Sequence, residues 1–272
     1  VIPFNGHSVE IPGARTLSYL DNAKIAPQIT DSTPRTRRIR AIVLHTTSGT
    51  ATGKVAAGSV ASTRAEVLAR YQTRTERKVS WDVTIDLDGD VIVQNDVVKN
   101  YSWHATAWNS LSMGIELVQG PGGVLYADQI AALVAVVDFY TMALGIQRQI
   151  AWAPEANGPC LSRIPRADEH GKGGQDMVGI FAHCHNTNSR GPGDPGAAPF
   201  LALADAGYDR FDYRVEEDKQ VWRGRQSAIG CATIDGIPLT ETCRALEKKN
   251  GSPVWVTRPN DAAIISLVSS LR

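Results

Sequence analysis

Ala41-Ile42-Val43-Leu44-His45-Thr46-Thr47-Ser48-Gly49 is the stretch on which the reading of this chain turns. Four apolar residues make a run of strand length, led in by Arg37 to Arg40. The run stops at a histidine followed by small and polar residues. A buried strand that ends in a polar, glycine-containing turn is a common place for a site. Ile180-Phe181-Ala182 is a second short apolar run, and it feeds directly into His183. Met113-Gly114-Ile115-Glu116-Leu117-Val118 is a third, with one acid set among apolar residues.

The elements between these runs alternate in kind. Ser62 or Thr63 can cap a helix that reaches about Tyr71, with Glu66 at capping-box spacing from Thr63. Val79 to Ile85 alternates as a strand with Val79, Trp81, Val83 and Ile85 on one face. Asp86-Leu87-Asp88-Gly89-Asp90 supplies a hairpin turn, and Val91-Ile92-Val93 returns. Tyr126 to Leu144 is the clearest helix: Ile130, Leu133, Val134, Val137, Thr141 and Leu144 follow its period, and Gly145 ends it. This order predicts a mixed α/β domain. Residues 1–36 read as an irregular arm, 49–60 as a small-residue loop and 153–176 as a long polar insertion of the kind that is usually functional or mobile. Composition shifts near residue 205. The expected organisation is an arm over 1–36, a main domain over 37–204 and a small C-terminal region over 205–272.

Bulk properties exclude several classes of function. Lys plus Arg equals Asp plus Glu at 28 each, so no global charge favours nucleic acid or an anionic membrane. No apolar run nears the roughly 18–20 residues needed to span a bilayer. Val1 to Gly13 lacks the basic start and apolar stretch of a signal peptide. Cys160, Cys184, Cys231 and Cys243 form no C-x-x-C pair. They are read as free thiols, with Cys231–Cys243 the alternative pairing.

Of the six histidines, His45 and His183 each follow an apolar strand and begin a polar loop. Shortly after His183 comes Gly191-Pro192-Gly193-Asp194-Pro195-Gly196, a rigid turn presenting a carboxylate. Two imidazoles and one carboxylate with an open fourth position have the composition of a catalytic zinc site. The residues alone leave the alternative open, since a strand-terminal histidine also serves as a hydrogen-bonded structural group. Glu116 is open in the same way. An acid within an apolar strand pays for desolvation, for chemistry or to partner a buried Arg, unless the strand turns it to solvent.

Taken together, four segments resemble the type 2 N-acetylmuramoyl-L-alanine amidases, a family that includes phage lysozyme-like amidases and peptidoglycan recognition proteins. They are Ile42-Val43-Leu44-His45-Thr46-Thr47; Trp103-His104-Ala105 with Trp108-Asn109 and Ser112 to Leu117; Tyr126-Ala127-Asp128-Gln129 before a long helix; and Ala182-His183 with Asp194-Pro195-Gly196 and Phe200. The resemblance spans about residues 38–202. It implies a central mixed β-sheet flanked by helices, with zinc at a groove on the sheet edge. The implied zinc ligands are His45, His183 and Asp194. His185 competes with His183, being nine rather than eleven residues from Asp194, and the family spacing lies between. His183 is preferred because the apolar strand runs directly into it. Glu116 would take a proton from water and return it to the leaving nitrogen. Arg190 would stabilise the oxyanion, from a larger offset before the third ligand than the family usually shows. His104, Asn109, Trp103 and Trp108 would contact substrate. A tyrosine that assists catalysis in another branch is replaced here by Trp81.

The activity so implied is hydrolysis of the amide between N-acetylmuramic acid and L-alanine in peptidoglycan or muropeptides. A non-catalytic peptidoglycan-binding module is the alternative. Gln226, Gly230, Asp235-Gly236-Ile237-Pro238, Thr242, Ala245 and Leu246 faintly resemble a helical peptidoglycan-binding repeat, without its downstream Phe-Gln pair. A phage endolysin or secreted lysin is favoured over a cytoplasmic recycling enzyme.

Overall fold

In the computed structural model of the chain, the described residues are 2–18, 32–47, 63–73, 76, 79–120, 123–164, 178–186, 190–213, 227 and 261–271. Outside them fall the loop at 49–60, Ser62, the tip of the insertion, Cys231, Cys243 and the C-terminal repeat-like pattern. The described residues of the segment read as an irregular arm contain four short strands. β1 (Ile2–Phe4) and β2 (His7–Val9) form a hairpin turned at Asn5-Gly6, whose φ values of 50° and 81° suit this dipeptide. Ile2, Phe4, Val9 and Ile11 sink into the main core, with the Phe4 ring 5.3 Å from that of Phe139. β3 (Arg15–Ser18) and β4 (Ser32–Pro34) follow. Strands of three or four residues are too short to show a period, which is why composition alone made this segment look irregular.

β5 (Ala41–Thr46) is the first central strand, and α1 (Thr63–Gln72) comes next. The backbone N–H of Ala65 is capped from a distance by Asp86 Oδ2 at 3.1 Å, a residue of the following hairpin turn. β6 (Val83–Ile85) is shorter than the alternation from Val79 predicts. Asp82 and Trp81 leave the ladder to hydrogen-bond elsewhere. The chain continues through β7 (Asp90–Val93), β8 (Asn100–Ser102), β9 (Ser112–Leu117) and α2 (Ala127–Leu144). Then come β10 (Gln149–Ala153), β11 (Gly158–Pro159), β12 (Gly179–Ala182), α3 (Ala198–Asp205), β13 (Asp209–Phe211) and α4 (Asp261–Ser270).

Among the described residues, nine strands build one mixed sheet in the order β11-β10-β12-β5-β9-β6-β7-β3, with β13 also on β10. β12, β5, β9 and β6 run parallel at its centre, and β7 turns back antiparallel. The two faces follow the period of two. Ile42, Leu44, Val83, Ile85, Met113, Ile115, Leu117 and Ile180 join the core under α2, whereas Ala41, Val43 and Phe181 join a second cluster with Trp108 and Tyr213. α2 is buried on more than the single stripe its periodicity suggests, continuously from Ala135 through Met142, because α3, α4 and Phe4 of the N-terminal hairpin pack against it as well as the sheet. By length and composition α2 could cross a membrane, yet most of it lies inside the fold.

The boundary expected at 204 is crossed by the sheet. β13 pairs in parallel with β10. Tyr208 and Tyr213 are buried, the first donating to Asp138 Oδ1 at 2.8 Å and the second accepting from Gln149 Nε2 at 2.7 Å. Residues 205–213 therefore belong to the main domain. α4 adds Ile264 and Val268 to the same core.

Candidate metal centre

Strand register assembles the site. β12 pairs with β5 so that Ala182 faces Leu44, and one residue further on His183 reaches His45. β9 pairs with β5 so that Glu116 lies opposite His45. All three residues therefore arise at the carboxyl ends of adjacent parallel strands, where open α/β sheets place their ligands. Asp194 arrives from a loop tied to β5 by two bonds. Thr46 N–H donates to Asp194 Oδ1 at 2.9 Å, and Thr46 Oγ1 donates to the Gly193 carbonyl at 3.1 Å.

One ligand-capable atom from each of His45, His183 and Asp194 lies within 4.8 Å of the others, and all three residues are buried. His45 Nδ1 is 2.9 Å from His183 Nδ1, which is 3.1 Å from Asp194 Oδ2. A buried set of two imidazole nitrogens and one carboxylate oxygen suits a zinc ion. Burial drives the pKa of His45 well below its ordinary value, assisted by His183, His104 and Arg190. The imidazole is thereby kept neutral, as a ligand must be.

His185 is differently employed. Ala182 N–H donates to its Nδ1 at 2.9 Å, so Nε2 carries the proton and donates to the Cys160 carbonyl at 2.6 Å. Both ring nitrogens are committed to backbone groups, and the ring is fully buried. Glu116 retains intermediate exposure. Its carboxyl pKa is pushed up to about 8, first by removal from water and then by the charge of Asp194, against the pull of Arg190. Arg190 Nε lies 3.9 Å from Asp194 Oδ2, with the guanidinium side chain 42% exposed.

The four residues expected against substrate are placed unequally. Trp103 is half-buried, with its indole N–H on Thr33 Oγ1 at 3.3 Å. Trp108 is buried edge-on to Phe181, at 5.3 Å between ring centroids. Asn109 is buried, and its Oδ1 accepts from the N–H groups of His104 and Ala105 at 3.0 and 2.6 Å. His104 packs against His45, Nδ1 to Nε2 at 3.0 Å, and burial lowers its pKa to about 3, with further contributions from His183 and Arg35. Trp81 is buried, its indole N–H donating to Thr84 Oγ1 at 2.7 Å.

Sequence reasoning passed over Asp82. Its carboxylate is fully buried and accepts from Asn95 Nδ2 at 2.7 Å, Ser102 Oγ at 2.9 Å and Gly114 N–H at 2.7 Å. The signal was available: an acid inside an alternating apolar run, the same signal that singled out Glu116.

The sequence profile of the family described as N-acetylmuramoyl-L-alanine amidase matches residues 35–197. Among solved structures, similarity is found to AmpD, at 17% identity over 71% of this chain and 96% of that one, with a TM-score of 0.41. The Staphylococcus aureus hydrolase AmiA in complex with its ligand is similar at 12% identity, over 74% and 85% of the two chains, with a TM-score of 0.43. Peptidoglycan recognition protein-LE in complex with tracheal cytotoxin is similar at 14% identity, over 76% and 99%, with a TM-score of 0.42. No functionally curated protein matches the chain.

Proposed function

The chain belongs to the N-acetylmuramoyl-L-alanine amidase family, and from that premise we propose that it is a zinc hydrolase cleaving the amide between N-acetylmuramic acid and L-alanine in peptidoglycan or muropeptides. The observation that carries this reading is the convergence of His45, His183 and Asp194 beside Glu116 at the ends of adjacent strands. His45, His183 and Asp194 would hold the zinc. A zinc ion there supplies Lewis acidity toward an amide carbonyl and toward water. Glu116 sits one strand over from His45, and in its ionised form, favoured by the charge of a bound metal, it would receive the proton that water gives up. Its removal from water favours the protonated form and so suits it to return that proton to the departing nitrogen of L-alanine, which cannot leave as an anion. Arg190 sits by the two carboxylates and would help neutralise charge developing on the carbonyl oxygen. Trp103, the most exposed of the expected substrate contacts, would line the approach.

Mass spectrometry of purified peptidoglycan digested with the protein, with and without a zinc chelator, tests the reading. Free stems beginning at L-alanine, abolished by chelation and restored by zinc, are expected. Intact stems from a protein that still sediments with the wall would replace the enzyme with a binding module.

A further inference from the structure

A chain of hydrogen bonds runs from the backbone to the candidate metal centre, and its direction can be read from the donors and acceptors. Ser112 Oγ lies 2.8 Å from the Trp108 carbonyl, which can only accept, so the single hydroxyl proton points there. The same oxygen lies 3.2 Å from His104 Nε2 and is left as an acceptor. His104 Nε2 must therefore carry the proton, and its Nδ1 is a bare lone pair. His104 Nδ1 is 3.0 Å from His45 Nε2, so His45 Nε2 in turn carries a proton and donates it. That leaves His45 Nδ1 unprotonated, and this is the nitrogen that faces His183 and Asp194.

We propose that His104 is a positioning residue for the metal, which fixes His45 as the Nε2–H tautomer and so presents Nδ1 as the ligand atom. The proposal rests on the reading of His45, His183 and Asp194 as zinc ligands, and it moves His104 from the substrate to the layer behind the metal. The ring is held in place for this work. A Cβ at Gly114 would meet His104 Cγ at 2.7 Å and Nδ1 at 2.8 Å, closer than side-chain carbons approach. The bare glycine surface of β9 is what lets the imidazole lie against the strand. Gly114 is itself clamped, its N–H on Asp82 Oδ2 at 2.7 Å and its carbonyl accepting Asp82 N–H at 3.0 Å. Asn109 pins the other side, through the backbone of His104 and Ala105. The route thus starts in buried groups that sequence reading assigned to substrate or passed over, and it ends on one lone pair.

The test needs no substrate. Zinc affinity is measured by chelator competition on the full chain, and the tautomer of His45 by nitrogen-15 NMR of the histidine-labelled, zinc-free protein. His104→Phe keeps the ring volume and removes both nitrogens. Its zinc affinity is expected to fall about 10–100-fold, the usual effect of losing such a partner. His104→Asn sets a carbonyl oxygen where Nδ1 stands and should recover much of that loss. Ser112→Ala removes one hydroxyl and should weaken zinc less, while reducing the Nε2–H population of His45, so the proposal stays testable if His104→Phe does not fold. Affinity within twofold of wild type in His104→Phe, or in Ser112→Ala an unchanged His45 tautomer and unchanged affinity, would overturn the positioning role alone. A wild-type His45 protonated on Nδ1 would do the same. A wild-type chain that takes up no zinc would overturn the ligand reading, and this inference with it.

Discussion

A carboxyl group that keeps its proton to about pH 8 beside a second carboxylate destabilises the fold wherever it is made to ionise. The unfolded Glu116 loses its proton near pH 4.5 and the folded one near 8, so the cost in the zinc-free protein grows across that window and is complete above it. Glu116→Gln is therefore expected to melt higher than wild type at pH 8 under chelation, with the gap closing to nothing near pH 4.5. A gap independent of pH would mean that Glu116 ionises normally. The same variant should retain zinc and lose about 10²–10⁴-fold in activity, read by stem release. Asp194→Ala removes a candidate ligand and the acceptor for Thr46 N–H, and should lower zinc per chain as read by elemental analysis. His185→Phe gives the opposite signature. It leaves Ala182 N–H and the Cys160 carbonyl without partners and should cost about 1–3 kcal/mol of stability with zinc stoichiometry unchanged. Here lay the main ambiguity of the sequence. Spacing could not choose between His183 and His185. The choice lies in which ring nitrogens the backbone claims, and that depends on a carbonyl at residue 160 that no local pattern reveals.

At the scale of elements, legibility followed length and punctuation. β5, β9 and α2 were readable because each is a long enough apolar run with a polar residue or glycine closing it. β3, β4 and β13 were not, because three or four residues carry no period and their partners are far away in the chain, whereas the β1–β2 hairpin had a readable signal in Asn5-Gly6 that was passed over. The start of α2 teaches the same lesson. Gln129 was legible as part of a motif, but not as a buried side chain whose Nε2 donates to the carbonyls of Ile85 at 3.0 Å and Val118 at 2.8 Å. It staples the helix to the ends of β6 and β9, the strand that carries Glu116. Gln129→Ala should cost about 1–3 kcal/mol in denaturant melts, with the activity of each folded chain unchanged. An unchanged melt would show that water takes over both carbonyls.

At the scale of the whole molecule, the matched family region stops at 197 while the sheet and core do not. A fragment spanning 37–204 loses β13, the Tyr208–Asp138 bond and the buried Ile2, Phe4, Val9 and Ile11. It is expected to expose apolar surface and to digest rapidly under limited proteolysis, whereas the full chain should resist. Equal resistance would return the boundary to 204. The register of the central strands has one more consequence. Because His45, His183 and Glu116 are brought together by ladder pairing, a slip of one residue in β12 or β9 would turn a site residue to the face beneath α2. Such a site has no half-assembled form. Mutations that merely destabilise the sheet should thin the population of working molecules and leave the turnover of each one unchanged, so that activity per folded chain stays constant while the folded fraction falls.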